Sequence, residues 1–144
     1  MEPFFEPARP EDAEVIFSLC REMVLRYEDP REIDLDRALQ WCGRKISSHL
    51  DQYTRVLLDG QVAGYYRLFP RDGIWELDDL YILPRFRRLG LGDAVLRRVI
   101  ARGEPLELYV FSENHAALAL YRKHGFRLLR QEGTTRCVLG REVL

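Results

Sequence analysis

At 144 residues, 47% hydrophobic and 31% charged, the chain has the length and composition of one globular domain spanning residues 1–144. Twenty-two basic against 23 acidic residues leave a net charge of −1, which gives no general attraction to nucleic acid or to an anionic membrane. No apolar run approaches the ~20 residues of a membrane span, and Met1-Glu2-Pro3-Phe4-Phe5-Glu6 carries acids where an export signal needs positive charge. The three cysteines, Cys20, Cys42 and Cys137, show no metal-type spacing. The expectation is a cytoplasmic protein with buried free thiols and no metal. Charge is uneven along the chain. Residues 85–102 hold six arginines against Asp93, and residues 11–36 hold nine acids against three arginines.

Residues 4–8 read as a short first strand, and Pro10-Glu11-Asp12 opens a helix with the proline and acids of a first turn. Ile16, Leu19, Cys20, Met23, Val24 and Tyr27 recur at helical spacing. A second apolar stripe, Leu35, Ala38, Leu39, Cys42, Ile46 and Leu50, follows with Asp34 as its cap. Runs 53–58 and 61–69 flank Asp59-Gly60, a strong hairpin signal, and Asp72-Gly73 repeats it before the run 74–83. Three antiparallel strands are expected there. A helix over 91–102 then leads to a strand at 106–110. A helix between two strands is a crossover, so strands 75–83 and 106–110 are expected to be parallel. A last helix covers 114–124, ended by Gly125 in the left-handed position, and a hairpin over 126–130 and 135–139 closes the chain.

The chemistry starts at Arg87-Arg88-Leu89-Gly90-Leu91-Gly92, between a strand ending in Pro84 and a helix. Backbone N–H groups at a helix start lack intrahelical partners and share the positive end of the helix dipole, so such a turn can cradle phosphate. Glycine lets the anion come close. A P-loop would require Gly-Lys-Ser/Thr, which is absent, and a dinucleotide fold a third glycine where Val95 stands. The arginines also read as solvated surface around a tight turn. A second pattern lies downstream: Asn114, Ala117, Tyr121, Gly125 and Phe126, with Asn114 and Tyr121 on one helix face ~10 Å apart.

Both patterns, and the element order, resemble the GCN5-related N-acetyltransferase (GNAT) family, with its Gln/Arg-x-x-Gly-x-Gly/Ala turn and its Asn-x-x-Ala-x-x-x-Tyr-x-x-x-Gly-Phe signature. Arg88 departs from the glycine that often follows the first arginine. The resemblance implies an α/β (α+β) mixed-sheet acyl-CoA N-acyltransferase fold, β1-α1-α2-β2-β3-β4-α3-β5-α4-β6-β7, whose parallel β4 and β5 splay apart. It implies acetyl-CoA as cosubstrate, the diphosphate held by Arg87, Arg88, Leu89, Gly90, Leu91 and Gly92. The pantetheine arm would pair with Leu80, Tyr81 and Ile82 and be held by Asn114, with Tyr121 beside the sulfur.

Direct attack by an amine expels a thiolate. A phenol near pKa ~10 protonating a thiolate near ~8.5 works uphill by about 2 kcal/mol, so Tyr121 is expected to donate a hydrogen bond that completes transfer as the C–S bond breaks. Tyr121 as a core residue and Asn114 as a helix cap are the plain alternatives. Asp78 is the candidate base, matched to an acid that some polyamine-type members carry, with strand alternation turning Asp78 and Asp79 to opposite faces. The acceptor would be a small cationic amine, met by Glu28, Asp29, Glu32, Asp34 and Asp36, with Tyr65, Tyr66 and Trp75 either lining the pocket or packing the sheet. His49, His115 and His124 read as surface histidines. A CoA-binding sensor without transfer and an acetyltransferase of protein N-termini or lysines remain as alternatives, and a homodimer is compatible with the resemblance.

Overall fold

The computed structural model describes residues 2–143; Met1 and Leu144 lie outside them. The elements run β1 (Phe4–Pro7), α1 (Asp12–Tyr27), α2 (Leu35–Ser48), β2 (Tyr53–Leu58), β3 (Gln61–Arg71), β4 (Ile74–Ile82), α3 (Leu91–Ile100), β5 (Leu106–Phe111), α4 (His115–Lys123), β6 (Arg127–Glu132) and β7 (Arg136–Arg141). The seven strands form one sheet in the order β1-β2-β3-β4-β5-β7-β6, antiparallel except for β4 with β5. The expected element order and mixed sheet are therefore present. β3 runs two residues further than its sequence pattern, to Arg71. α3 ends at Ile100, two residues short of the expected 102, because Ala101 and Arg102 turn into Gly103 at φ +76.

Local chemistry explains the boundaries. Asp59-Gly60 and Asp72-Gly73 turn with positive φ at both residues, the geometry that matches the twist of paired strands. Asp34 caps α2 by accepting the Arg37 N–H at 3.2 Å. α1 lacks a side-chain cap, and Asp12 in its first turn accepts the N–H of Arg9 at 2.7 Å instead. Gly125, at φ +86, ends α4, and the buried Phe126 returns its N–H to the Tyr121 carbonyl.

Adjacent tyrosines show how the helices divide over the sheet. Tyr65 packs with Ile16, Cys20, Cys42 and Ile46 of α1 and α2, whereas Tyr66 packs with Leu91, Val95, Leu96 and Leu118 of α3 and α4. Successive side chains of a strand point to opposite faces, so each helix pair covers its own face. Gly64 is obligatory at this level: a Cβ there would lie 2.3 Å from the Tyr81 carbonyl oxygen.

One irregularity positions the functional site. Between the pairs Tyr65↔Tyr81 and Arg67↔Asp78 the register slips by one residue, a β-bulge on β4 with Asp79 at φ +49. Pairing of β4 with β5 is confined to Trp75↔Leu106 and Glu76↔Glu107, although both strands continue. The parallel strands part just before the bulge.

Candidate active site

A cavity of about 940 Å³ occupies the fork. Asp78, Asp79, Leu80 and Tyr81 of β4 and Tyr109, Val110 and Phe111 of β5 line it, with Asn114, Ala117 and Tyr121 at one side and α1 and α2 at the other. Of the residues expected at the site, Asp78, Leu80, Tyr81, Asn114 and Tyr121 meet on this wall. Ile82 and residues 87–92 do not line it; Ile82 ends β4, and beyond a short helical segment at Pro84–Phe86 comes the turn of residues 87–92.

In that turn the N–H groups of Arg88, Leu89 and Gly90 have no backbone acceptor among the described residues, and those of Leu91 and Gly92 open α3. Gly90 sits at φ +77 with open space where a Cβ would be. Arg88 keeps φ +64, so the arginine accepts the left-handed backbone that a glycine takes without strain. Gly92 serves packing: its Cβ would lie 2.9 Å from Leu120 Cδ2 of α4. Arg87 folds back and donates from Nε to the Ile82 carbonyl at 3.1 Å. Asp93 ties the two helices, accepting from His124 at 2.7 Å and Lys123 at 3.0 Å, which holds its carboxyl below the usual range. His115 and His49 are exposed.

Asn114 caps α4, its side chain accepting the Ala117 N–H at 3.3 Å. Two turns on, Tyr121 is 8% exposed and meets Phe126 edge to face at 5.7 Å. Its phenol has no hydrogen-bond partner among the described residues. Burial, then the charges of Asp78 and Asp79, push its pKa up and keep the proton on oxygen.

The bulge corrects the expectation that Asp78 and Asp79 face opposite ways. Both carboxylates reach the same buried ammonium: Lys45 Nζ lies 2.6 Å from Asp79 Oδ2 and 3.8 Å from Asp78 Oδ2. Asp79 also accepts the hydroxyls of Tyr53 at 2.5 Å and Tyr81 at 3.0 Å, so both of its oxygens are engaged. Among the described residues Asp78 has Lys45, Arg67 Nη1 at 3.4 Å and the Asp79 N–H at 3.1 Å, and its side chain keeps 21% exposure. Its pKa is pushed up to about 6, chiefly by burial and then by the neighbouring Asp79 and Glu76, against the opposing pull of Lys45 and Arg67. The cavity thus holds a carboxylate whose pKa is raised toward neutrality and a phenol that keeps its proton, two groups of the kinds that accept and donate protons in catalysis.

Lys45 and Arg67 were not singled out in the sequence. A signal for Lys45 existed, since it lies one turn beyond Cys42 and beside Ile46, on the buried stripe of α2. Arg67 carried none, being one arginine in a strand. Glu28 and Asp34 line the cavity as expected; Asp29, Glu32 and Asp36 do not. Tyr65 and Tyr66 are buried in the two cores and Trp75 packs against one of them, so none of the three lines the cavity. Cys20 and Cys42, outside both motifs, are on its wall.

A sequence model of the acetyltransferase (GNAT) family matches residues 16–126. A mycothiol acetyltransferase of Clavibacter michiganensis subsp. michiganensis is 39% identical over 74 residues, which are 48% of this chain and 24% of that protein. The chain thus spans about a quarter of the length of this curated relative. Among solved structures, the PaiA N-acetyltransferase of Thermoplasma acidophilum in complex with coenzyme A superimposes with a TM-score of 0.69 at 20% identity, over 99% of both chains. An N-acetyltransferase of Staphylococcus aureus Mu50 superimposes with 0.74 at 16% identity, over 95% of this chain and 99% of that one. Identities this low establish a shared fold.

Proposed function

The chain belongs to the acetyltransferase (GNAT) family, and from that premise we propose that residues 1–144 act as one cytoplasmic N-acetyltransferase domain, passing acetyl from acetyl-CoA directly to a small cationic amine. One observation carries the reading: Tyr121, whose hydroxyl has no hydrogen-bond partner among the described residues, and Asp78, its pKa raised to about 6, share a cavity that opens at the fork of β4 and β5. Among the described residues no helix is long and apolar enough to cross a membrane.

Coenzyme A fits the residues present. The free N–H groups of residues 88–90, with those opening α3, suit a diphosphate, and β4 beyond Glu76 has no β5 partner, so an amide-bearing arm can pair with Leu80 and Tyr81. The Ile82 carbonyl is shared with Arg87. When bound, the cosubstrate supplies an acetyl group activated as a thioester. The N–H of Leu80, inside the bulge, polarises the acyl carbonyl. Asp78 takes the proton of the attacking amine, directly or through one water. Against an amine near ~10.4, a carboxylate raised to about 6 lies some 4 units too acidic, where an ordinary aspartate lies 6 or more. Tyr121 donates its hydrogen bond to the departing sulfur; its raised pKa makes full proton transfer late.

Contacts across the cavity support a small acceptor over a protein chain. Tyr27 at the end of α1 stacks on Phe111 at 5.3 Å, and Glu28 accepts from the Thr135 hydroxyl, so α1 is tied to the strands across the cavity. A peptide would need an open groove there. Glu28 and Asp34 on the wall have no cationic partner among the described residues, which suits a cationic amine. Arg37 and Arg136 lack an acidic partner in the same sense and leave room for an anionic group elsewhere on the acceptor. The test is coenzyme A thiol release from acetyl-CoA with a panel of small amines and with peptides. Release accelerated by a small amine, with the N-acetyl product in its mass spectrum, is expected. Tight coenzyme A binding without acceleration by any acceptor would favour a sensor.

A further inference from the structure

We propose that Cys20 and Cys42 are a redox modification site: a peroxide oxidises this dithiol to a disulfide that ties α1 to α2 across the cavity wall. Cys20 lies on α1 and Cys42 on α2, with their Sγ atoms 3.0 Å apart, each residue 4% exposed and both on the cavity lining. Acetyl transfer as described above uses neither. Cys137, also buried, belongs to the other core cluster, with α3 and α4. The two sulfurs need to close by about 1 Å to reach disulfide length, about 2.05 Å. A movement of that size is within reach of two packed helices.

The surroundings divide the roles. Cys20 donates its S–H to Cys42 Sγ, and Lys45 stands one turn beyond Cys42 on the same helix. That hydrogen bond lowers the pKa of Cys42 and raises that of Cys20, Lys45 lowering both and Asp79 raising both. Cys42 is therefore the nucleophile and Cys20 the resolving thiol. The Cys42 thiolate attacks one peroxide oxygen, the O–O bond breaks and the hydroxide that leaves takes up the thiol proton as water. Cys20 sulfur then displaces hydroxide from the sulfenic acid, and its proton completes the second water. Two thiols lose two electrons and two hydrogens, and hydrogen peroxide becomes two waters. The cavity gives a molecule as small as hydrogen peroxide a route to sulfurs that the outer surface hides.

The experiment treats the reduced protein with hydrogen peroxide and reads intact mass, a non-reducing peptide map and hydrogen exchange. It requires no acetyl transfer, so its failure is distinct from failure of the functional reading. The expected results are loss of two hydrogens, a cross-linked peptide pair containing Cys20 and Cys42, and Cys137 still open to alkylation after denaturation. Slower exchange confined to α1 and α2 and a Tm higher by several degrees, both reversed by dithiothreitol, complete the signature. Cys20→Ser and Cys42→Ser should each abolish the two-hydrogen loss; the wild-type map decides alone if either variant misfolds. Oxygen addition without cross-linking, a bond to Cys137, dimers linked between chains, or unchanged exchange in α1 and α2 would overturn the proposal.

Discussion

In the proposed function the turn at residues 87–92 and the charged cluster around Asp79 serve one reaction, and they are built in opposite ways. The turn is made of backbone: one chain segment, two glycines and a helix start offer N–H groups whatever the side chains between them. The cluster is made of side chains from α2, β2, β3 and β4, gathered by tertiary structure onto a single carboxylate pair. A backbone device tolerates substitution and is written in consecutive residues. A side-chain cluster is tuned by each member and fails when one is lost.

Replacing Lys45 is the sharpest way to break that contrast. Lys45→Met strips the buried ammonium from two carboxylates and is expected to cost about 3–5 kcal/mol in denaturant unfolding. In any folded fraction, the pH at which activity is half-maximal should move above 6, because a cation that pulls the Asp78 pKa down is gone. Next in size is Tyr121→Phe: kcat should fall about 100-fold while the Kd for coenzyme A, set by the turn, changes by no more than about twofold. Equal losses in both would mean that the phenol acts in binding.

Asp78→Asn separates catalysis from stability. Asp78 in the folded protein binds its proton more tightly than in the unfolded chain, its pKa standing near 6 against the ordinary 3.8. Its ionisation therefore opposes folding progressively as pH rises from about 4 to about 6, and fully above that. The variant should match the parent in stability near pH 3, exceed it by about 3 kcal/mol at pH 7, and lose the rise of kcat/KM through pH 6. The smallest effect belongs to the turn: Arg88→Gly relieves a left-handed arginine at φ +64 and should raise stability by about 1 kcal/mol or less. Coenzyme A affinity would drop only by what the arginine's charge contributes, read as a shallower salt dependence in calorimetry.

The same contrast decides what was legible. Asp59-Gly60, Asp72-Gly73, the Asp34 cap and Gly125 specify turns and ends through their own backbone preferences, and each did so in the structure. Gly90 and Tyr121 were legible because their spacing is local. The convergence of Asp78 and Asp79 was not. It depends on one extra residue in β4, and strict alternation, the rule a sequence offers for strands, fails at a bulge. Lys45 and the Cys20–Cys42 contact were hidden because they arise only when α1 and α2 pack on the face of Tyr53 and Tyr65. For Tyr65 and Tyr66 the sequence left pocket and core both open, and the structure spends them on the two cores.

The most direct test is a crystal structure with coenzyme A bound. The account predicts the diphosphate on the main-chain N–H groups of residues 88–92, the pantetheine arm against Leu80 and Tyr81, and the sulfur within hydrogen-bonding reach of the Tyr121 hydroxyl. A diphosphate seated elsewhere, or a sulfur that stays outside the fork of β4 and β5, would contradict it.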